Sequence, residues 1–203
     1  RSCCANHEDT EASGVGASSA AARKPQRFKA TRDGDFTRGS ALILGATTLL
    51  PGLLPDGELM FHTDSVYLER PLKGAMLYAE EIPSSGGETM FVNMHMAYDA
   101  LSDAMKARLA PLTAVNVFDY ETQVKTGRLD RSKGKNHVHP AVRTHPETGK
   151  KALFVNRLMT EEFVGMPEAE SDTLLKELCD HAEQPQFVYS HKWTVGDPLL
   201  WDN

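Results

Sequence analysis

The residues with the clearest chemical potential are a histidine and an aspartate two positions apart, His62 and Asp64. In a β-strand, side chains at positions i and i+2 point to the same face of the sheet. An imidazole nitrogen and a carboxylate oxygen on one face suit a divalent metal ion such as iron, manganese or zinc. A second imidazole from elsewhere in the chain would complete three ligands and leave positions open for chemistry. The spacing therefore predicts a metal site on this strand.

A second pair of residues, His137 and His139, has strand spacing that also suits a metal. Pro140 follows this pair directly and a basic loop precedes it, which makes it the weaker candidate. A cupin-like metalloprotein that uses His137 and His139 stays open as an alternative. It requires these two residues, rather than His62 and Asp64, to govern metal binding.

The composition limits the classes of protein and partner. The chain has 203 residues and a net charge of -6, which favours one domain and argues against a nucleic-acid partner. No apolar run reaches the roughly 18 residues that a membrane-spanning helix needs. Three cysteines do not make a disulfide framework, so we expect a cytoplasmic location. The composition leaves the oligomeric state open, and a homo-oligomer is compatible with it.

The two ends of the chain differ in character. Residues 1–45 are rich in Ala, Ser, Gly and charged residues, and cannot bury enough apolar surface to offset the entropy of ordering. We expect this segment to be disordered or foreign to the fold, and residues 46–203 to form a partial domain. Because the chain begins with Arg1 and ends at Asn203, straight after an apolar run, we expect it to be a fragment.

Hydrophobic periodicity predicts many short strands and two helical regions. One helical region spans 94–109, is capped by Asn93 and restarts at Ser102; the other spans 167–183. The predicted strands are 59–66, 75–82, 88–92, 115–118, 141–144, 152–156, 187–193 and 199–201. Many short strands with two helices and a metal pair on one strand indicate a mainly β protein, a jelly roll with helical additions.

The polar segment 119–136 carries basic residues that include Lys125, Arg128 and Arg131. We interpret it as a solvated, mobile loop. The alternative is a lid over an anionic substrate, because long loops without structure of their own are often functional.

Several motifs together resemble one known family. They are Phe61-His62-Thr63-Asp64-Ser65, Pro83-Ser84-Ser85-Gly86-Gly87-Glu88-Thr89, His145-Pro146-Glu147-Thr148-Gly149 and Trp201-Asp202-Asn203. Their order and spacing over about residues 55–203 resemble the taurine dioxygenase/2,4-dichlorophenoxyacetate dioxygenase family.

The resemblance implies a double-stranded β-helix, incomplete at the C-terminus, that uses Fe(II) and 2-oxoglutarate. It matches His62 and Asp64 to the first two iron ligands, and Thr89 to the threonine that helps hold a 2-oxoglutarate carboxylate. It also implies that a third ligand, a histidine, and an arginine that pairs with 2-oxoglutarate follow Asn203. We therefore expect this chain to be inactive by itself.

The implied activity is hydroxylation of a small, anionic organic molecule by dioxygen, with release of succinate and carbon dioxide. The alternative is a non-catalytic jelly-roll binding module that keeps the family shape and has lost the metal site.

Overall fold

A computed structural model describes residues 4–7 by their backbone, and residues 60–84, 86–118, 128, 131–132 and 134–203 in full. Most of the polar loop that the sequence offers as a lid, and most of the N-terminal segment expected to be disordered, lie outside these residues. Within that segment, the backbone of Cys4–His7 forms a strand.

The described residues form mainly β structure with a few helices, as the sequence predicts. The strands are β1 Cys4–His7, β2 Gly74–Tyr78, β3 Glu88–Val92, β4 Thr113–Phe118, β5 Lys135–Pro140, β6 Val142–Thr144, β7 Lys151–Leu153, β8 Thr160–Phe163, β9 Val188–His191 and β10 Pro198–Asp202. The helices are α1 Met94–Asp99, α2 Asp103–Leu109 and α3 Glu168–Ala182, with one 3₁₀ turn, Pro185–Phe187. No helix among the described residues is long and apolar enough to cross a lipid bilayer.

The described strands pair antiparallel in four small sheets, ordered β1-β3-β9, β10-β2, β5-β4-β8 and β6-β7. The β2–β10 pair matters most for the site, because it brings the end of β10 beside the segment that precedes β2. Gly74 pairs with Asp202, and a Cβ on Gly74 would lie only 2.8 Å from the Trp201 carbonyl oxygen. This close approach of two backbones requires a glycine at position 74.

Two apolar clusters hold these sheets and helices together. The larger one packs the buried face of α3 against α1 and the ends of β4, β7 and β8; among its least exposed members are Leu109, Phe163, Leu174 and Leu178. The smaller one joins Val66, Phe154, Leu158 and Met159, with Met60, Tyr67 and Phe118 packed against it. Because Met60 and Val66 bracket His62 and Asp64, the smaller cluster supports the segment that carries the predicted metal pair.

The strand predicted over residues 59–66 is wrong. The backbone makes a single bridge at His62 and then turns over residues 64–67. Ser65 has φ of 59°, in the left-handed region that residues other than glycine seldom adopt. Alternating apolar and polar residues predicted a strand, but this local reversal ends it directly after the bridge.

Candidate metal centre

The imidazole of His62 is presented by a short, irregular segment between Met60 and the turn at Asp64. Its Nδ1 lies 3.0 Å from the Met60 carbonyl oxygen, which can only accept a hydrogen bond, so Nδ1 carries the proton. In the neutral ring the lone pair is then on Nε2. A backbone carbonyl that fixes the tautomer in this way is the usual partner of a metal-binding histidine.

The donor atoms of the two predicted ligands converge. His62 Nε2 lies 3.3 Å from Asp64 Oδ1, and the two side chains are 12% and 31% exposed. A nitrogen lone pair and a carboxylate oxygen at this distance repel each other unless a proton or a cation lies between them. The pair therefore fits a divalent cation, and the donor set of one nitrogen and one oxygen suits iron or manganese.

The structure brings His62 and Asp64 together as the sequence predicts, although by a turn rather than by a strand. Among the residues that the structure describes, no three side chains of His, Cys, Asp or Glu are grouped so as to hold a metal. The described part of the chain thus supplies two converging ligands, and the predicted third ligand stays a prediction.

Thr89 lies in β3 and is almost completely buried, at 4% exposure. Phe91, two residues along the strand, is also buried, so this face of β3 looks inward. Trp193 Nε1 lies 2.9 Å from Thr89 Oγ1, and an indole N–H can only donate. The threonine oxygen therefore accepts this bond, which fixes the orientation of the hydroxyl that the family resemblance assigns to 2-oxoglutarate.

Strand β10 connects the Thr89 face with the metal pair. The ring of Phe91 contacts the ring of Trp201, with centroids 5.4 Å apart. Two residues after Trp201, the side-chain amide of Asn203 binds the backbone of Asp64. Sequence reasoning assigned no role to Asn203 or Trp193, because a partner more than 100 positions away leaves no local pattern to read.

The alternative metal pair, His137 and His139, is not supported. Both lie on β5 with ring centroids 4.7 Å apart, but His139 is buried and its Nε2 lies 2.9 Å from the Leu68 carbonyl oxygen. That nitrogen donates a hydrogen bond to the carbonyl and therefore has no lone pair to bind a metal. Burial lowers the pKa of His139, and the charges of His137 and Arg143 add to this effect, which indicates a neutral core histidine.

The two arginines of the polar loop that the structure describes are paired with acidic side chains. Arg128 contacts Glu162 on β8 at 3.0 Å and Asp172 on α3 at 2.6 Å, and Arg131 also binds Glu162. Burial alone would lower the pKa of Arg128, but the carboxylates around it raise the pKa. These two guanidinium groups therefore anchor the loop rather than offering a site for an anionic substrate.

Comparison with curated proteins gives close relatives of one chemical class. The (S)-phenoxypropionate/alpha-ketoglutarate-dioxygenase of Sphingobium herbicidovorans is 39% identical over 158 residues, which cover 72% of this chain and 54% of that protein. The alpha-ketoglutarate-dependent 2,4-dichlorophenoxyacetate dioxygenase of Cupriavidus pinatubonensis is 37% identical over 149 residues, which cover 71% of this chain and 51% of that protein. The chain thus spans about half the length of these relatives.

Solved structures agree with the sequence comparison. AAD-2 in complex with Mn(II) and N-oxalylglycine matches with a TM-score of 0.63 at 34% identity, covering 70% of this chain and 57% of that chain. A taurine dioxygenase from Burkholderia xenovorans matches with a TM-score of 0.61 at 33% identity, covering 70% of this chain and 47% of that chain. These dioxygenases have a jelly-roll fold, so the predicted fold class is confirmed.

The family is shown most directly by a sequence profile that extends over nearly the whole chain. The profile matches residues 12–203, which include the paired donors His62 and Asp64, the buried Thr89 and the Asn203 that binds Asp64. The chain therefore belongs to the taurine catabolism dioxygenase TauD, TfdA family.

Proposed function

We propose that the protein to which this chain belongs is an iron(II)- and 2-oxoglutarate-dependent dioxygenase that hydroxylates a small, anionic organic molecule. The observation that carries the proposal is the convergence of His62 Nε2 and Asp64 Oδ1 at 3.3 Å, with the proton of His62 held on Nδ1 by a carbonyl. The relatives support it, since their names describe alpha-ketoglutarate-dependent dioxygenases.

Each residue has a separate role in this proposal. His62 and Asp64 hold the metal, and the Thr89 hydroxyl donates a hydrogen bond to a carboxylate of 2-oxoglutarate. Trp193 donates to Thr89 Oγ1 and so directs the hydroxyl hydrogen away from the indole. When bound, iron(II) and 2-oxoglutarate supply oxidation of a C–H bond by dioxygen, with release of succinate and carbon dioxide.

Apolar side chains flank the pair in sequence and pack into the smaller cluster. Met60 and Tyr67 lie on either side of the pair, and Tyr67 stacks on Phe118 with ring centroids 4.6 Å apart. Relatives named for phenoxypropionate and 2,4-dichlorophenoxyacetate support a substrate with an anionic group.

The cellular setting is also a proposal. We place the activity in the cytoplasm, as the sequence predicts from its cysteine usage; Cys179 is a buried thiol. Small-molecule substrate, 2-oxoglutarate and dioxygen are the partners that the proposal requires.

The non-catalytic binding module is the second candidate, and the comparisons do not favour it. A module that had lost its metal site would have no need to keep an imidazole lone pair aimed at a carboxylate. The relatives from Sphingobium herbicidovorans and Cupriavidus pinatubonensis are both named as dioxygenases.

The test is anaerobic binding of iron(II) and 2-oxoglutarate to the full-length protein, followed by the weak visible charge-transfer band of the chelate. We expect the band in the wild type and its loss in His62→Ala, which removes the imidazole donor, and in Asp64→Asn, which removes the negative charge of the carboxylate. His137→Ala is the matched control, since His137 has strand spacing that suits a metal but lies on β5, and it should keep the band. A band that survives His62→Ala, or disappears in His137→Ala, contradicts the assignment.

A further inference from the structure

We propose that Asn203 is a positioning residue for the metal centre: its side-chain amide holds the backbone of Asp64 so that the carboxylate faces His62. The inference rests on the proposed function, because it concerns the geometry of the same site. It adds a residue that binds neither metal nor substrate and acts only through Asp64.

The contact is a pair of hydrogen bonds between one side chain and one residue's backbone. The Asp64 N–H donates to Asn203 Oδ1 at 3.1 Å, and Asn203 Nδ2 donates to the Asp64 carbonyl oxygen at 2.8 Å. These are the two bonds that a residue in an antiparallel strand exchanges with a hydrogen-bonded partner. The amide of Asn203 therefore makes the two hydrogen bonds that a neighbouring strand would make, just after the bridge at His62.

Asp64 requires such support because the backbone after it is unusual. Ser65 has φ of 59°, a conformation that is unfavourable for a non-glycine residue and persists only when its surroundings impose it. The turn that follows is closed by local bonds, from the Val66 N–H to the Thr63 carbonyl at 3.3 Å and from Leu68 to Ser65 at 2.9 Å. Two bonds from Asn203 fix the residue at which this turn begins.

Asn203 is itself held firmly from the opposite side. Its N–H donates to the Lys73 carbonyl at 2.9 Å, and its Nδ2 also lies 3.3 Å from the Leu72 carbonyl. The preceding residue, Asp202, accepts a hydrogen bond of 2.7 Å from His145 Nε2. Hydrogen bonds thus connect the turn before β7 to the end of β10, and the end of β10 to the proposed metal ligand Asp64.

His145 has the tautomer that this arrangement needs. The N–H groups of Glu147 and Thr148 lie 3.2 and 3.1 Å from its Nδ1, which must therefore accept. The ring proton is then on Nε2 and is donated to Asp202. The ring of His145 therefore connects the turn 145–149 to β10.

The amide of Asn203 points both its oxygen and its nitrogen at backbone groups. The amide is neutral. The length of the Asn203 side chain sets the position of the Asp64 backbone. Replacement by alanine removes both bonds to Asp64, and replacement by glutamine keeps an amide but displaces it by one methylene group. Partners that orient a metal ligand in this way change metal affinity by about 10- to 100-fold when removed.

The experiment measures Mn(II) affinity of the full-length protein from the electron paramagnetic resonance signal of free Mn(II), with the melting temperature of the metal-free protein as a second readout. We expect Asn203→Ala to bind Mn(II) about tenfold more weakly than the wild type. The matched control is Asn93→Ala, because Asn93 also accepts from a backbone N–H, that of Met96 at 3.1 Å, but at the start of α1. Its Mn(II) affinity should equal that of the wild type.

The possible results test the role of Asn203 and the proposed function separately. Wild-type Mn(II) affinity in Asn203→Ala, or in Asn203→Gln if only that variant folds, overturns the role of Asn203. An equal loss of affinity in Asn93→Ala also overturns it, since the effect would then follow stability rather than position. Failure of the wild type to bind Mn(II), by contrast, overturns the proposed function on which the inference rests.

Discussion

For His62, His139 and His145, the neighbouring groups assign the position of the ring proton. His62 donates from Nδ1 to the Met60 carbonyl, whereas His139 and His145 donate from Nε2 to Leu68 and Asp202. Of these three, His62 is the one whose other ring nitrogen lies close to a carboxylate oxygen, Asp64 Oδ1. At the scale of the residue, the hydrogen-bond partner therefore separates the proposed ligand from two structural imidazoles.

The buried His139 predicts a pH dependence of stability. Burial is the main cause that lowers its pKa in the folded protein, and the charges of His137 and Arg143 lower it further, while the carbonyls of Leu68 and Val66 oppose the shift. The unfolded chain therefore binds this proton more readily than the folded chain, so the folded state loses stability as the pH falls below about 6.5.

The measurement is urea unfolding at about pH 7.5 and about pH 5.5. We expect the wild type to lose free energy of unfolding at the lower pH, and His139→Gln to lose less, because glutamine cannot take up the proton and its amide can donate to the Leu68 carbonyl. Equal losses in both proteins would show that His139 is not the group responsible.

The sequence was sufficient for part of the candidate site. Spacing indicated both His62 with Asp64 and His137 with His139, and the family resemblance favoured the first pair. Thr89 came from the family resemblance, because a buried threonine has no distinctive pattern. Asn203 could not be assigned, because its role depends on a backbone 139 positions away that only the folded chain brings to it.

At the scale of the element, the break between α1 and α2 shows how a local signal sets structure. Asn93 begins α1 and accepts from the Met96 N–H; Ser102 begins α2 and accepts from the Met105 N–H at 3.2 Å. The sequence predicted the cap at Asn93 and the restart at Ser102. It did so because a capping side chain satisfies a donor only three residues away.

Removal of the second cap should have a measurable effect. We expect Ser102→Ala to lower the free energy of unfolding by about 1 kcal/mol, because the Met105 N–H loses its acceptor. Ser102→Asp keeps an acceptor at this position and should stay close to the wild type. A similar loss in both variants, measured by chemical denaturation, would contradict a capping role.

Strand predictions were less accurate where tertiary pairing decides the outcome. The pattern over residues 59–66 indicated a strand, yet the chain turns after His62. The strands predicted over residues 141–144 and 152–156 overlap β6 and β7, and the turn between them contains Gly149 with φ of 70°, which a glycine adopts readily. Residues such as glycine and proline indicate a turn from the local sequence, whereas pairing with a distant segment has no local sequence pattern.

At the scale of the whole molecule, α3 has more buried residues than α1 or α2. Its buried residues include Leu174, Leu178, Cys179 and Ala182, which belong to the main apolar cluster. The sequence predicted a helical region over residues 167–183 from its hydrophobic periodicity. Arg157, in the loop before β8, binds Asp180 of the helix at 2.8 Å and the C-cap residue Glu183 at 2.9 Å.

Truncation of one of these buried side chains should destabilise the whole domain. We expect Leu178→Ala, at a side chain with no exposed surface, to reduce the free energy of unfolding by about 3 kcal/mol through lost contacts and a residual cavity. Leu200→Ala is the matched control, because Leu200 is 63% exposed on β10 and should change stability little. Comparable losses at the two positions, measured by urea unfolding, would contradict this description of the core.

The link between Asp64 and Asn203 has a consequence for the order of events during synthesis. The two proposed ligands leave the ribosome well over 100 residues before the amide that holds one of them. A nascent chain that ends before Asn203 therefore carries both donors without fixing their geometry, and long-range contacts of this kind form late in folding. The geometry of the proposed ligand pair is therefore completed only when the end of β10 reaches Asp64.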